Sequence, residues 1–166
     1  MTPGWNKADI HIHTTFSDGL MSPEALVEFA ATKTDLRVIA VTDHDTMAGA
    51  LVAKAYRDTF ANDFGHLDVI VGSEITSHEG DILALFIDED IPHGLSAAET
   101  VARIHARGGL AIAAHPYTFA FSLIGIGGMR GVKGLIGQVA FDGVEERNGT
   151  PTEFFSNMWT QRRNRG

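Results

Sequence analysis

The chain has 166 residues, 44% hydrophobic and 20% charged, which suits one domain with a buried core and excludes a disordered tail. Lys and Arg number 13 against 21 Asp and Glu, so the net charge of −8 argues against a general affinity for nucleic acid or anionic membranes. Eight histidines and no cysteine exclude disulfides and thiolate metal sites, so any metal site must use imidazole and carboxylate ligands.

The sequence carries no signal for membrane insertion or export. Residues 1–7 contain no apolar run of signal-peptide length, and no later window reaches the roughly 18 apolar residues of a membrane span. We therefore predict a cytoplasmic protein.

Short β-rich runs alternate with helical segments along the chain. Helices are predicted over 23–33, where Ser22 precedes Pro23, over 48–64, and from Ser96, which opens a capping box, to the Gly108-Gly109 pair. Strands are predicted at 9–14, 37–42, 67–72, 82–87, 110–114 and 139–144. This alternation predicts an α/β fold with a parallel sheet, in one domain over residues 1–166.

Chemically active side chains occur where predicted strands end. His11 and His13 are two residues apart on the first strand, which places both imidazoles on one face. The next strands run into His44, Glu74 and His115. Any one of these alone is more often a capped strand end, but together they predict convergence on one metal site at the carboxyl edge of the sheet.

These strand ends also carry motifs of a known family. The chain resembles the polymerase and histidinol phosphatase (PHP) family of metal-dependent phosphoesterases through residues 9–19, 39–45, 72–75 and 108–116. The resemblance implies a distorted seven-stranded (β/α) barrel with two or three divalent ions at the carboxyl ends of its strands. It covers residues 9 to about 148, which is nearly the whole chain.

The resemblance also implies roles for individual residues. His11 and His13 look like ligands of a first ion, Glu74 like a bridge to a second, and His115 like a ligand of that second ion. These four residues would form the catalytic centre, in which the ions activate a shared water for attack on phosphorus.

Three further ligand positions follow from the same resemblance. Asp18 and His44 look like ligands of a third ion. Asp81 stands where many members have His, and it is either a ligand that favours Mn or Mg or an exposed loop carboxylate. His78, three residues earlier, is the alternative source of an imidazole. Asp43 and Asp45 are expected to orient the ring of His44 or to cap the next helix.

The implied reaction is hydrolysis of a phosphoester, most simply a phosphomonoester of a small metabolite or nucleotide, with Mn, Zn, Fe or Mg as cofactor. Arg130 and Lys133 are candidates for binding the phosphate, against the alternative of solvated loop charges. Two other functions stay open: a related metal-dependent amidohydrolase or phosphodiesterase, and a PHP-like module that binds metal or a partner without catalysis.

The length of the chain raises one further expectation. A (β/α) barrel of this kind typically needs about 250 residues, and the elements counted above amount to about five βα units. The Ser-Asp-Ala-His-like motif that family members carry later in the chain is absent after Asn148. We therefore expect a barrel truncated after about five units, completed by a missing carboxyl-terminal segment or an oligomeric partner.

Overall fold

A computed structural model describes residues 6–118, 131–149, 157–158 and 160–162 of the chain. The fold is α/β, as predicted. Within the described ranges the strands are β1 Lys7–Ile12, β2 Leu36–Val41, β3 Asp68–Thr76, β4 Asp81–Leu85, β5 Leu110–Ala113 and β6 Gly143–Val144. The helices are α1 Pro23–Lys33, α2 Ala48–Thr59, α3 Ala61–Phe64 and α4 Ala97–Ala106, with a short 3-10 turn at Lys133–Leu135.

The chain divides into two compact units. The first comprises Met1–Ser73 and Leu85–Asp90, and the second comprises Glu74–Ala84 and Ile91–Gly166. The chain leaves the first unit within β3, between Ser73 and Glu74, and returns to it at the end of β4.

The first unit is built on parallel pairing of β1 with β2 and of β2 with β3. Its core joins apolar residues of α1 and α2 to the buried positions of β2 and β3: Leu26, Val27, Ala30, Ile39, Val41, Ala50, Ala53, Leu67 and Val69. The register of β1 shifts between Asp9 and Ile12, where three steps along β1 face two steps along β2. This irregularity of the parallel pair, here called the bulge, contains His11. Such irregularities can re-aim side chains near functional sites.

The helix starts follow the sequence signals. The Ser22 hydroxyl accepts a hydrogen bond from the Ala25 N–H at 3.3 Å, and Pro23 occupies the first helical turn. Ser96 and Glu99 form the predicted capping box at α4. The predicted helix over 48–64 is interrupted, because Phe60 leaves the helical conformation between α2 and α3. There the Arg57 side chain donates to the Leu67 carbonyl at 2.6 Å and so holds the returning chain against the end of α2.

The second unit contains β4, β5 and β6 in hydrogen-bonded order, and β5 and β6 are parallel. α4 ends at a glycine with a left-handed backbone, Gly108, whose φ is +73°. The strand predicted over 139–144 is reduced to Gly143–Val144. Val139 pairs with Ile136 only through an isolated bridge, just after the 3-10 turn at residues 133–135. Among the described helices, none is long and apolar enough to cross a membrane.

Candidate functional site

The first unit brings His11 and His13 together. Their Nε2 atoms lie 3.2 Å apart, and their rings are tilted by 38° at a centroid distance of 5.1 Å. The Asp9 carboxylate accepts the backbone N–H of His11 at 3.3 Å and so supports the bulge. Two imidazoles that bind one tetrahedral ion at about 2.0–2.1 Å each would place their nitrogens about 3.3 Å apart. The observed separation fits that requirement.

Asp18 and His44 complete a cluster around the His13 ring. His13 Nδ1 donates to an Asp18 carboxylate oxygen at 2.6 Å, and His44 packs edge-on against His13 at 4.6 Å. The other Asp18 oxygen lies 3.8 Å from His44 Nε2. Burial alone would raise the pKa of Asp18. The hydrogen bond from His13 and the electrostatic attraction of His13 and His44 have the larger combined effect, so this pKa lies below its ordinary 3.8.

This geometry bears on the role expected for Asp18. Asp18 contacts Nδ1 of His13, whereas Nε2 of the same ring faces His11. A carboxylate in this position typically orients an imidazole that binds metal through its other nitrogen. The sequence indicated the residue but not this contact, because the direction of a loop side chain depends on how the turn folds.

The second unit brings Glu74, Asp81 and His115 together. His115 Nε2 donates to Glu74 Oε1 at 2.9 Å, and the side chains are 0% and 1% exposed. An Asp81 oxygen lies 4.0 Å from the same nitrogen. Asp81 is buried in β4, so it is not an exposed loop carboxylate, whereas His78 is exposed. That these three residues share one metal centre with His11 and His13 stays a prediction.

Glu145 and Asn148 support His115 from behind. The Glu145 carboxylate accepts the backbone N–H of His115 at 2.7 Å and a hydrogen bond from Asn148 Nδ2 at 3.3 Å. This support matters because His115 has a φ of +25°, a conformation that a non-glycine residue adopts only when its surroundings impose it. The Gly-Val-Glu and Asn motif predicts a structural, supporting role for Glu145 and Asn148, and these hydrogen bonds are of that kind.

The candidate phosphate-binding residues differ in status. Lys133 is exposed at the start of the 3-10 turn, and its backbone N–H donates to the Pro116 carbonyl at 2.9 Å. Arg130 lies outside the described residues. Their role in substrate binding therefore stays a prediction.

A cleft of about 370 Å³ opens in the first unit beside the histidine pair. Its lining is mostly apolar and includes His11, His13, Leu20, Met21, Phe29 and Leu36. Leu20 is 97% exposed, so much of this apolar lining faces solvent.

Comparison with known proteins identifies the family. The PHP domain profile matches residues 9–152 of the chain. The chain belongs to the PHP domain family. Members of this family are generally metal-dependent hydrolases. Both units of this chain contain imidazole and carboxylate groups that could hold divalent ions: His11, His13 and His44 in the first unit, and Glu74 and His115 in the second.

The related sequences span different shares of this PHP chain. An uncharacterized protein of Methanocaldococcus jannaschii is 41% identical over 123 residues, which cover 68% of each chain. The 5'-3' exoribonuclease Rnm of Salmonella typhimurium is 42% identical over 86 residues, which cover 48% of this chain and 27% of the exoribonuclease.

Solved structures show the same fold. A two-domain protein from Bacteroides vulgatus, described as containing a predicted PHP-like metal-dependent phosphoesterase, matches with a TM-score of 0.68 at 20% identity, over 96% of this chain and 49% of that one. An amidohydrolase from Chromobacterium violaceum matches with a TM-score of 0.62 at 16% identity, over 95% and 83% of the two chains. The chain thus spans about half of the first of these structures.

Proposed function

We propose that this PHP domain hydrolyses phosphoesters with the help of divalent metal ions, with a small phosphorylated molecule as substrate. The observation that carries the proposal is the separation of 3.2 Å between the Nε2 atoms of His11 and His13, which suits shared binding of one ion. A second donor pair lies in the second unit, where Glu74 Oε1 on β3 is 2.9 Å from Nε2 of His115, which follows β5. Imidazole and carboxylate ligands of this kind fit Mn, Zn, Fe or Mg.

In this proposal each unit supplies metal ligands of its own. His11 and His13 would hold one ion, Glu74 and His115 a second, with Asp81 as a further carboxylate ligand. Bound ions of this kind lower the pKa of water and neutralise charge on a phosphate, which is the chemistry that phosphoester hydrolysis needs. The negative net charge of the chain does not oppose an anionic substrate, because the ions dominate the local field.

The chain's own side chains would keep these ligands in place. Asp18 accepts the Nδ1–H of His13 and thereby leaves Nε2 as the nitrogen that can bind metal. Glu145 fixes the backbone of His115, which places that ring against Glu74. Lys133 and Arg130 are proposed to bind the phosphate group.

A panel of substrates tests the reaction class. Protein loaded with Mn²⁺ is assayed with 4-nitrophenyl phosphate, its bis-ester, a short 5'-phosphorylated oligoribonucleotide and simple amides. We expect phosphate release from the monoester, lost on chelation. Hydrolysis of the oligoribonucleotide alone would assign the activity named for the Salmonella typhimurium relative, and turnover of amides alone would contradict the proposal.

Amide hydrolysis is the second candidate, because one structural neighbour is named an amidohydrolase. The same ligand types serve both reactions, since an activated water attacks carbonyl carbon as well as phosphorus. A module without catalysis is less well supported, because such a module would be expected to have lost ligands, whereas His11, His13, Glu74 and His115 are all present.

A further inference from the structure

The buried carboxylate of Asp43 lies at the end of β2, directly before His44. Its side chain is inaccessible to solvent, and each of its oxygens accepts hydrogen bonds from the segment that follows β1. One oxygen accepts from the Thr14 N–H and the Ser17 hydroxyl, each at 2.7 Å, and the other accepts from the Thr14 hydroxyl at 2.7 Å. Asp43 therefore ties this segment to the end of β2 rather than orienting the His44 ring or capping α2.

The segment that Asp43 holds is a compact turn over residues 14–19. The Thr14 carbonyl accepts hydrogen bonds from the N–H groups of Ser17 at 3.1 Å and Gly19 at 2.9 Å. A side chain at Gly19 would overlap the His13 carbonyl, so the turn closes tightly on β1. Asp18 lies in this turn between Ser17, which donates to Asp43, and Gly19.

The start of α2 covers the Asp43 carboxylate. A Cβ atom at Gly49 would overlap one of the Asp43 oxygens and lie 2.7 Å from the Thr14 hydroxyl. The helix therefore approaches the carboxylate as closely as a glycine allows. With both oxygens engaged and no access to solvent, Asp43 is placed to hold the turn and not to bind an ion.

We propose that Asp43 is a positioning residue for the histidine cluster: it fixes the turn over residues 14–19 so that Asp18 accepts the Nδ1–H of His13 and the Nε2 of His13 is presented to metal. The inference rests on the proposed metal-dependent function. The path consists of direct contacts: Asp43 to Thr14 and Ser17, the turn to Asp18, and Asp18 to His13 at 2.6 Å. A carboxylate can only accept, so Nδ1 carries the hydrogen.

The first test is the tautomer of His13 in metal-free protein. Imidazole ¹⁵N chemical shifts are measured in the wild type, in Asp43→Asn and in the control Asp63→Asn, an exposed residue of α3. We expect the Nδ1–H tautomer in the wild type and in the control, and a mixture of tautomers in Asp43→Asn. A merely structural role would lower the stability of Asp43→Asn without moving this signal.

The second test is Zn²⁺ affinity, followed through the His13 signals. Loss of a residue that orients a ligand typically weakens metal binding by about 10–100-fold, and we expect about tenfold for Asp43→Asn. The double variant Asp43→Asn/Asp18→Asn should bind no more weakly than Asp18→Asn, because both residues act on the same ring. If Asp43→Asn does not fold, Ser17→Ala decides, with an expected loss of about fivefold.

Three results would count against the proposal or against the metal-dependent function on which it rests. An unchanged tautomer and Zn²⁺ affinity in folded Asp43→Asn, or in Ser17→Ala, would overturn it, and so would additive losses in the double variant. If the wild type binds no Zn²⁺ at His13, the proposed metal-dependent function fails, while the tautomer measurement still decides whether Asp43 positions the ring.

Discussion

Replacing Glu74 by Gln separates its contribution to stability from its contribution to metal binding. Glu74 is buried and accepts a hydrogen bond from His115 Nε2 at 2.9 Å. A hydrogen bond to a charged group contributes about 1.5–3 kcal/mol and a neutral one about 1 kcal/mol, so the change should cost about 0.5–2 kcal/mol in metal-free protein. With a urea m-value of about 2 kcal/mol/M, the urea concentration at the unfolding midpoint should fall by about 0.3–1 M.

Metal should then stabilise the wild type far more than the variant. An ion that binds only the folded state adds about 2.7 kcal/mol at 100 times its Kd. Because Gln offers no carboxylate to bridge or bind an ion, we expect this increment to be largely lost in Glu74→Gln. Urea unfolding with chelator and with Mn²⁺ measures both effects, and Glu146→Gln, at an exposed position of the second unit, is the matched control. Equal stabilisation of Glu74→Gln and the wild type by Mn²⁺ would refute the reasoning.

Three further predictions concern other parts of the chain. Gly49→Ala should lower the melting temperature and weaken Zn²⁺ binding, because its Cβ would displace the Asp43 carboxylate; calorimetry and titration check this, and unchanged binding would contradict it. Ser96→Ala should cost about 1 kcal/mol, or roughly 2–4 °C in melting temperature, with hydrolysis unaffected, because it removes only the cap of α4. The pKa of Asp142 should lie below its ordinary 3.8, because its carboxylate accepts hydrogen bonds from the Ala111 N–H and from His105, so the stability it contributes is present above pH 3.8 and is lost as the pH falls through the lowered pKa. NMR titration should show a smaller lowering of this pKa in His105→Ala, and a lowering equal to that in the wild type would exclude the His105 contact.

Much of the fold could be predicted from local signals. The start of α1 and the capping box of α4 follow from side chains that act within one helical turn, so Ser22, Pro23, Ser96 and Glu99 were sufficient to predict them. The break at Phe60 could not be predicted in this way, because the contact that accompanies it, from Arg57 to the Leu67 carbonyl, joins segments on either side of a turn.

The candidate site shows the same division. The contact of His11 with His13 was predictable because residues two apart on a strand share one face, and the motifs indicated Glu74 and His115. Their convergence on one site stays a prediction. The bulge in β1 and the hydrogen bonds of Asp43 to Thr14 and Ser17 were not, since both depend on register and on contacts between segments far apart in sequence. For that reason the sequence predicts that Asp43 orients the ring of His44 or caps the next helix, whereas its carboxylate accepts hydrogen bonds from Thr14 and Ser17.

The most direct test of the central claim is phosphate release measured together with metal content on the same purified protein. If this PHP domain is a metal-dependent phosphoesterase, hydrolysis of 4-nitrophenyl phosphate should rise with bound Mn²⁺ and stop on chelation. It should also fall by at least about 100-fold in His11→Ala, because loss of a ligand should cost more than loss of a residue that only orients one. Turnover that is independent of metal content, or that persists unchanged in His11→Ala, would contradict the account.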